Sequence, residues 1–181
     1  MFDFLRYSSR IGSKGIQGRH IWTLMNKKNY ISLAKKAANI QISELKKIKK
    51  IFNKSFVKAV DLILSCKGKV IFAGIGKSGL IARKISATFS SVGIPSFFCD
   101  PAQALHGDMG QLEKKDILII FSYSGNTAEL NNMLKYANRY SVKIIGVASK
   151  PDSILLKASD IKLILPKVKE SDVTGMVPTS S

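Results

Sequence analysis

Short apolar runs at residues 70–73, 117–121, 143–148 and 161–165 alternate with stretches of helical spacing, and this alternation constrains the fold more than any other feature. The runs are four to six residues long and rich in Ile, Val and Leu, which suits strands covered on both faces. A further short strand is predicted at 96–99, opened by Gly93-Ile94-Pro95, and helices are predicted at 80–91, 127–140 and 153–158. Strand–helix–strand repetition requires right-handed crossovers and a mostly parallel sheet with helices packed on it, an α/β fold. Upstream, Ile31, Ala34, Ala38, Ile42, Leu45 and Ile48, then Phe52, Phe56, Val60 and Ile63, recur at helical spacing. They predict two amphipathic helices with a break near residues 53–55, the first with a narrow stripe that suits a partner chain as well as its own core.

In sheets of this kind ligands lie beyond the carboxyl ends of the strands. Two glycine- and serine-bearing turns fall on that edge. The second, Ser122-Tyr123-Ser124-Gly125-Asn126-Thr127, sits between a strand and a helix start. Unpaired N–H groups and the positive end of the helix dipole favour an anion there. Gly125 allows close approach, and Ser122, Ser124 and Thr127 can donate to phosphate oxygens. Glu129 follows as an acid/base candidate. The alternative is an ordinary helix cap in which one hydroxyl satisfies the first turn.

The first turn, Gly74-Ile75-Gly76-Lys77-Ser78-Gly79, matches the dinucleotide pattern G-x-G-x-x-G, with Asp100 downstream. Lys77 fits a pyrophosphate-binding backbone loop poorly, and a P-loop is excluded because Ile71 stands where that motif needs glycine. Beside a phosphate cup, the Lys77 ammonium can stabilise charge developing on a substrate oxygen; the alternative is an exposed turn lysine. His106, framed by Leu105 and Gly107-Asp108-Met109-Gly110, is presented on a short loop and can titrate near neutral pH. Its alternative is a histidine held by local hydrogen bonds.

Charge placement bears on partners. The net charge is +17. Residues 1–68 hold 15 Lys/Arg and 3 Asp/Glu, a balance of +12, and residues 69–181 hold 14 and 9, a balance of +5. Most of the excess lies upstream of residue 69, outside the segment that carries the two turns. Few aromatics interleave these lysines and no nucleic-acid motif appears, so a solvated face is expected and no nucleic-acid partner. No run approaches the roughly 20 apolar residues of a membrane span. Cys66 and Cys99 lack metal-ligand spacing and form no disulfide framework, which predicts reduced thiols in a cytoplasmic protein. Residues 1–24, basic and rich in Ser and Gly, are expected to be a disordered leader, with the domain at 25–181.

Taken together, Gly74 to Gly79, the loop 101–110, Ser122 to Glu129 and the closing Pro178-Thr179-Ser180-Ser181 resemble the sugar isomerase (SIS) domain of D-arabinose 5-phosphate isomerases. The resemblance covers about residues 30–181. It implies a three-layer α/β/α sandwich, a homo-oligomer of the tetrameric kind with shared active sites, and interconversion of D-arabinose 5-phosphate and D-ribulose 5-phosphate on the way to the Kdo sugar of lipopolysaccharide. It implies catalytic roles for Lys77, His106, Glu129 and Glu170. The implied substrate-binding set is Gly76, Ser78, Gly93, Ile94, Ser122, Ser124, Gly125 and Thr127. No cofactor is expected. Asp100 and Gln103 stand where the family commonly carries a histidine and a glutamate, so no metal is expected either. Ser171-Asp172-Val173-Thr174 replaces the usual Ala-Cys-Pro-Leu, and the family's further histidine, in an SHPGG-like stretch, and its CBS modules are not found in these 181 residues. The expected function is an aldose–ketose isomerase of this type or its truncated remnant. The alternative is a non-catalytic sugar-phosphate-binding regulatory domain.

Overall fold

The computed structural model describes residues 29–171 and residue 179. The expected leader, and Pro178, Ser180 and Ser181 of the closing motif, lie outside the described residues. The chain divides into two units, residues 1–43 with 169–180 and residues 44–168 with 181.

The larger unit carries the sheet. β1 (Val70–Gly74), β2 (Ser96–Cys99), β3 (Ile117–Phe121), β4 (Lys143–Ala148) and β5 (Ile161–Ile164) are ordered β2-β1-β3-β4-β5 and all pair in parallel. α2 (Lys54–Leu64), α3 (Gly76–Ser91), α4 (Leu130–Arg139) and α5 (Ile154–Ala158) supply the covering layers; α1 (Tyr30–Lys47) precedes them and runs across the boundary between the units.

Strand periodicity builds two cores. Val70, Phe72, Ile117, Ile119, Ile145 and Val147 face Ala59 of α2 and Ala82 of α3. Ile71, Ala73, Leu118, Ile120 and Ile144 face Leu130, Met133, Leu134 and Ala137 of α4 and Leu155 and Leu156 of α5. Alternate side chains of one strand point to opposite faces, so two apolar faces require two helical layers. The Phe72 ring is fully buried and meets Phe89 edge-on at 5.0 Å. The sheet's amino-terminal edge is tied by buried Asp116. Its Oδ1 accepts the Lys69 N–H at 2.8 Å and its Oδ2 accepts the Glu113 N–H at 2.9 Å.

The break between the first helices falls where expected. A short 3-10 turn, Ile48–Ile51, follows α1, and Asn53 caps α2 by accepting the Ser55 N–H at 2.8 Å. Two helix starts differ from expectation. α3 begins at Gly76, taking Lys77 and Ser78 into its first turn, because Ile75 is already the extended cap. α4 begins only at Leu130. Gly125 has φ +67°, and the intervening residues make turn-type bonds, Leu130 N–H to Thr127 O at 3.2 Å and Asn131 N–H to Ala128 O at 3.1 Å.

In the smaller unit, Glu170 Oε2 accepts the N–H of Thr179 at 2.6 Å and its hydroxyl at 3.0 Å. Thr179 Oγ1 in turn accepts the Ser171 N–H at 2.7 Å, and Gln41 Nε2 donates to Ser171 Oγ at 3.3 Å.

Candidate functional site: a phosphate cup at the sheet's switch point

After β1 the chain moves outward to β2, and after β3 it moves the other way to β4. Crossovers leaving neighbouring strands in opposite directions open a crevice at their carboxyl ends. Gly74 and Phe121 are register partners, so both predicted turns leave the sheet at this crevice. A Cβ on Gly74 would lie 3.0 Å from Phe121 O, and one on Gly79 would lie 2.6 Å from Gly74 O. Glycine at these positions seats the start of α3 against the strand end.

Gly76 adopts φ +59°. The N–H groups of Gly76, Lys77 and Ser78 find no acceptor among the described residues, as the first turn of a helix dictates. Lys77 and Gly76 are exposed and Ser78 is half-buried.

In the facing turn, Gly125 is fixed from both sides. Its N–H donates to Ser122 O at 2.9 Å and Ser122 Oγ at 3.1 Å, and its carbonyl accepts the Leu155 N–H at 3.0 Å. A Cβ there would collide with the Ser153 side chain. Asn126 Oδ1 accepts the Ile154 N–H at 3.0 Å, so the loop also closes the start of α5.

The three hydroxyls are not equivalent. Ser122 is only 6% exposed, and its Oγ lies 2.9 Å from Thr127 Oγ1; it braces the cup from beneath. Ser124, half-buried, accepts the Asn126 N–H at a long 3.3 Å. The backbone N–H groups of Ser124, Thr127, Ala128 and Glu129 have no acceptor among the described residues. Two sets of unpaired donors thus open on one crevice, which suits a dianionic phosphate.

Two acid/base candidates, Glu129 and His106, stand on segments that follow β3 and β2. Glu129 is exposed and immediately precedes α4. His106 is exposed and ends a 3-10 turn, Ala104–His106, in the connection leaving β2 at the same sheet edge. The side chains of Lys77, His106 and Glu129 make no hydrogen bond or ion pair among the described residues. Glu170 belongs to the smaller unit. Gly93 and Ile94 lie at the opposite end of the sheet from the two turns. They precede β2, where the Val70 N–H donates to Pro95 O at 2.9 Å, so the length of β1 separates them from the cup of the same chain.

Near the His106 loop, burial pushes the Cys99 thiol up to about 11, and Asp108 and Asp100 add to the shift. Asp100, the would-be ribose partner of a dinucleotide, accepts the Ala102 N–H at 2.9 Å within its own turn. Sequence reasoning missed Asn126, Ser149 and Ser153, whose roles in fixing the cup depend on contacts across the fold. No local pattern marks them.

A family model described as the SIS domain matches residues 63–181. The chain belongs to the SIS-domain family. Among its relatives, it is 40% identical over 158 residues to an uncharacterised Rickettsia prowazekii protein, spanning 87% of this chain and 50% of that one. It is 43% identical over 126 residues to the arabinose 5-phosphate isomerase KdsD of Pseudomonas aeruginosa, spanning 70% and 39%. The chain thus covers half or less of these curated relatives. An Escherichia coli protein solved in complex with arabinose 5-phosphate superposes with a TM-score of 0.77 at 36% identity, covering 87% of this chain and 84% of that one. The SIS domain described here is therefore related to the arabinose 5-phosphate isomerases.

Proposed function

We propose that the chain binds a pentose 5-phosphate and interconverts D-arabinose 5-phosphate and D-ribulose 5-phosphate. The observation that carries this reading is the pair of unpaired N–H sets, at 76–78 and 127–129, opening on the crevice between β1 and β3. Likeness to KdsD and to a protein that binds arabinose 5-phosphate supports the choice of sugar.

Isomerisation requires a base to take the proton from C2 while O1 gains one, giving an enediol; O2 then loses its proton as C1 gains one. In this reading Glu129 or His106 moves the carbon-bound proton, with Glu170 a further candidate for the hydroxyl protons. The Lys77 ammonium stabilises the negative charge that builds on oxygen. Ser124, Thr127 and the adjacent N–H groups grip the phosphate, Ser122 and Gly125 hold the cup in shape, and Gly76 and Ser78 complete its other wall.

A second reading, a non-catalytic sugar-phosphate binder, draws support from one contrast. Ser122 and Gly125 are braced, whereas the side chains of Lys77, His106 and Glu129 have no hydrogen-bond or ion-pair partner among the described residues. A coupled assay of ribulose 5-phosphate formation separates the two readings. Turnover above a Lys77→Ala control supports the isomerase. Stabilisation by arabinose 5-phosphate without turnover supports the binder; at 100 times the dissociation constant that stabilisation is about 2.7 kcal/mol. Neither turnover nor stabilisation refutes both.

We also propose a homo-oligomer acting in the cytoplasm. Phe52, Val57 and Leu64, exposed by 59%, 56% and 76%, give a second copy an apolar surface to cover. Light scattering that gives a monomer mass refutes the assembly.

A further inference from the structure

We infer that Tyr123 is a positioning residue that couples occupation of the phosphate cup to the segment leaving β5, two residues before Glu170. The inference rests on the sugar-phosphate reading of the cup.

Tyr123 sits within the cup, between Ser122 and Ser124, and is held at both ends. Its carbonyl accepts the N–H of Ser149 at 2.8 Å and the Ser149 hydroxyl at 2.7 Å, just past the end of β4. Its phenol oxygen accepts the N–H of Val168 at 3.2 Å. β5 ends at Ile164, and the Leu165 N–H still reaches Ala148 O at 2.8 Å. Residues 166–168 lie beyond the last strand pairing among the described residues. The bond to Tyr123 is the single hydrogen bond of residues 166–168 among the described residues.

A tether made of one hydrogen bond can be closed or open. With the tether closed, Tyr123 is fixed at backbone and side chain, and the N–H groups around it are held where a phosphate needs them. With the tether open, residues 166–168 are released and the cup loses one of its anchors. A ligand that prefers the closed state must shift the tether toward closure. By linkage, closing the tether must raise ligand affinity by the same factor. A tyrosine with a merely structural role would show no such reciprocity.

The test uses the full chain and its Tyr123→Phe variant, which keeps the ring and removes the hydroxyl that accepts the Val168 N–H. Hydrogen exchange is followed at the Val168 amide, with and without arabinose 5-phosphate. In the free protein the variant's Val168 amide exchanges about fivefold faster, the size of one net hydrogen bond. Ligand protects Val168 further in the wild type and not in the variant. The variant's dissociation constant rises by the factor by which ligand protects Val168 in the wild type. Equal exchange at Val168 in the two free proteins overturns the tether. Equal ligand protection in both, or unchanged affinity in the variant, overturns the coupling. Thermal stabilisation of the wild type by arabinose 5-phosphate, measured in parallel, separates these outcomes from failure of the cup itself. A wild type with no stabilisation and no added protection overturns the sugar-phosphate reading and the coupling together, while the free-protein comparison still decides the tether.

Discussion

Alanine at Gly125 and at Gly93 isolates the energetic cost of closing the cup. Both glycines have positive φ, +67° and +86°, so in each case a Cβ imposes a backbone penalty of roughly 1–2 kcal/mol. In each case alanine also restricts the unfolded chain, which returns about 0.4–1 kcal/mol. The surroundings then distinguish them. Nothing lies within 4 Å of a Cβ at Gly93, whereas one at Gly125 meets the Ser153 side chain and comes to 3.0 Å from Ala148 Cβ. Forcing an atom into packed surroundings adds about 1–3 kcal/mol. Gly93→Ala is therefore expected to cost roughly 1 kcal/mol, and Gly125→Ala roughly 2–4 kcal/mol. Urea unfolding followed by far-ultraviolet circular dichroism measures both, and each kcal/mol lowers Tm by about 2–4 °C in a chain of this size. Gly125→Ala also displaces the N–H that ties Ser122 into the cup, so phosphate affinity falls with stability. If Gly125→Ala is no more destabilising than Gly93→Ala, the close packing of the cup on α5 is wrong.

Other perturbations separate roles within the larger unit. Ser124→Ala and Thr127→Val should each weaken arabinose 5-phosphate binding by roughly tenfold to a hundredfold, the range for loss of a hydrogen bond to a charged group, in isothermal titration. Ser122→Ala, which removes a buried brace, should lower the urea midpoint more than either. Burial of Asp160 raises its carboxyl, but the hydrogen bond from Lys143 and the N–H of Ile144 outweigh it and leave the group below its ordinary value. A depressed folded value means the contribution is full above the unfolded value, near pH 4, and is lost as pH falls through the folded one. The urea midpoint of Asp160→Asn should therefore depend less on pH than the wild type's below about pH 4. With its thiol pushed up to about 11 and buried, Cys99 should resist Ellman's reagent at pH 8 until the chain is unfolded, while partly exposed Cys66 reacts in the native state.

What could be read from the sequence follows the range of the forces involved. The strand cores at 70–73 and 117–121 were legible because burial on two faces demands an unbroken apolar run, a local signature. The shared edge of the two turns was legible because every parallel strand delivers its carboxyl end to the same side of the sheet. The helix starts were less so. Whether α4 begins at 127 or 130 depends on Gly125 being pinned against Ser153, and α5 lies a whole strand further along the chain. The same reason hid the difference among the hydroxyls. Ser122, Ser124 and Thr127 look alike as letters, and only burial under the loop makes the first a brace.

Gly93 and Ile94 pose a different question. A strand has two ends, and a residue assigned to the site by likeness must still lie at the end where the crevice opens. The turn before β2 lies at the amino end, so one chain cannot bring it to its own cup, and a contribution from that turn would have to come from another copy. Mixing chains disabled at the cup by Gly125→Ala with chains altered at Gly93 and Ile94 tests this. Activity or affinity recovered in the mixture, above that of either parent, shows that one copy completes the site of another; no recovery confines the site to the β1–β3 crevice of a single chain.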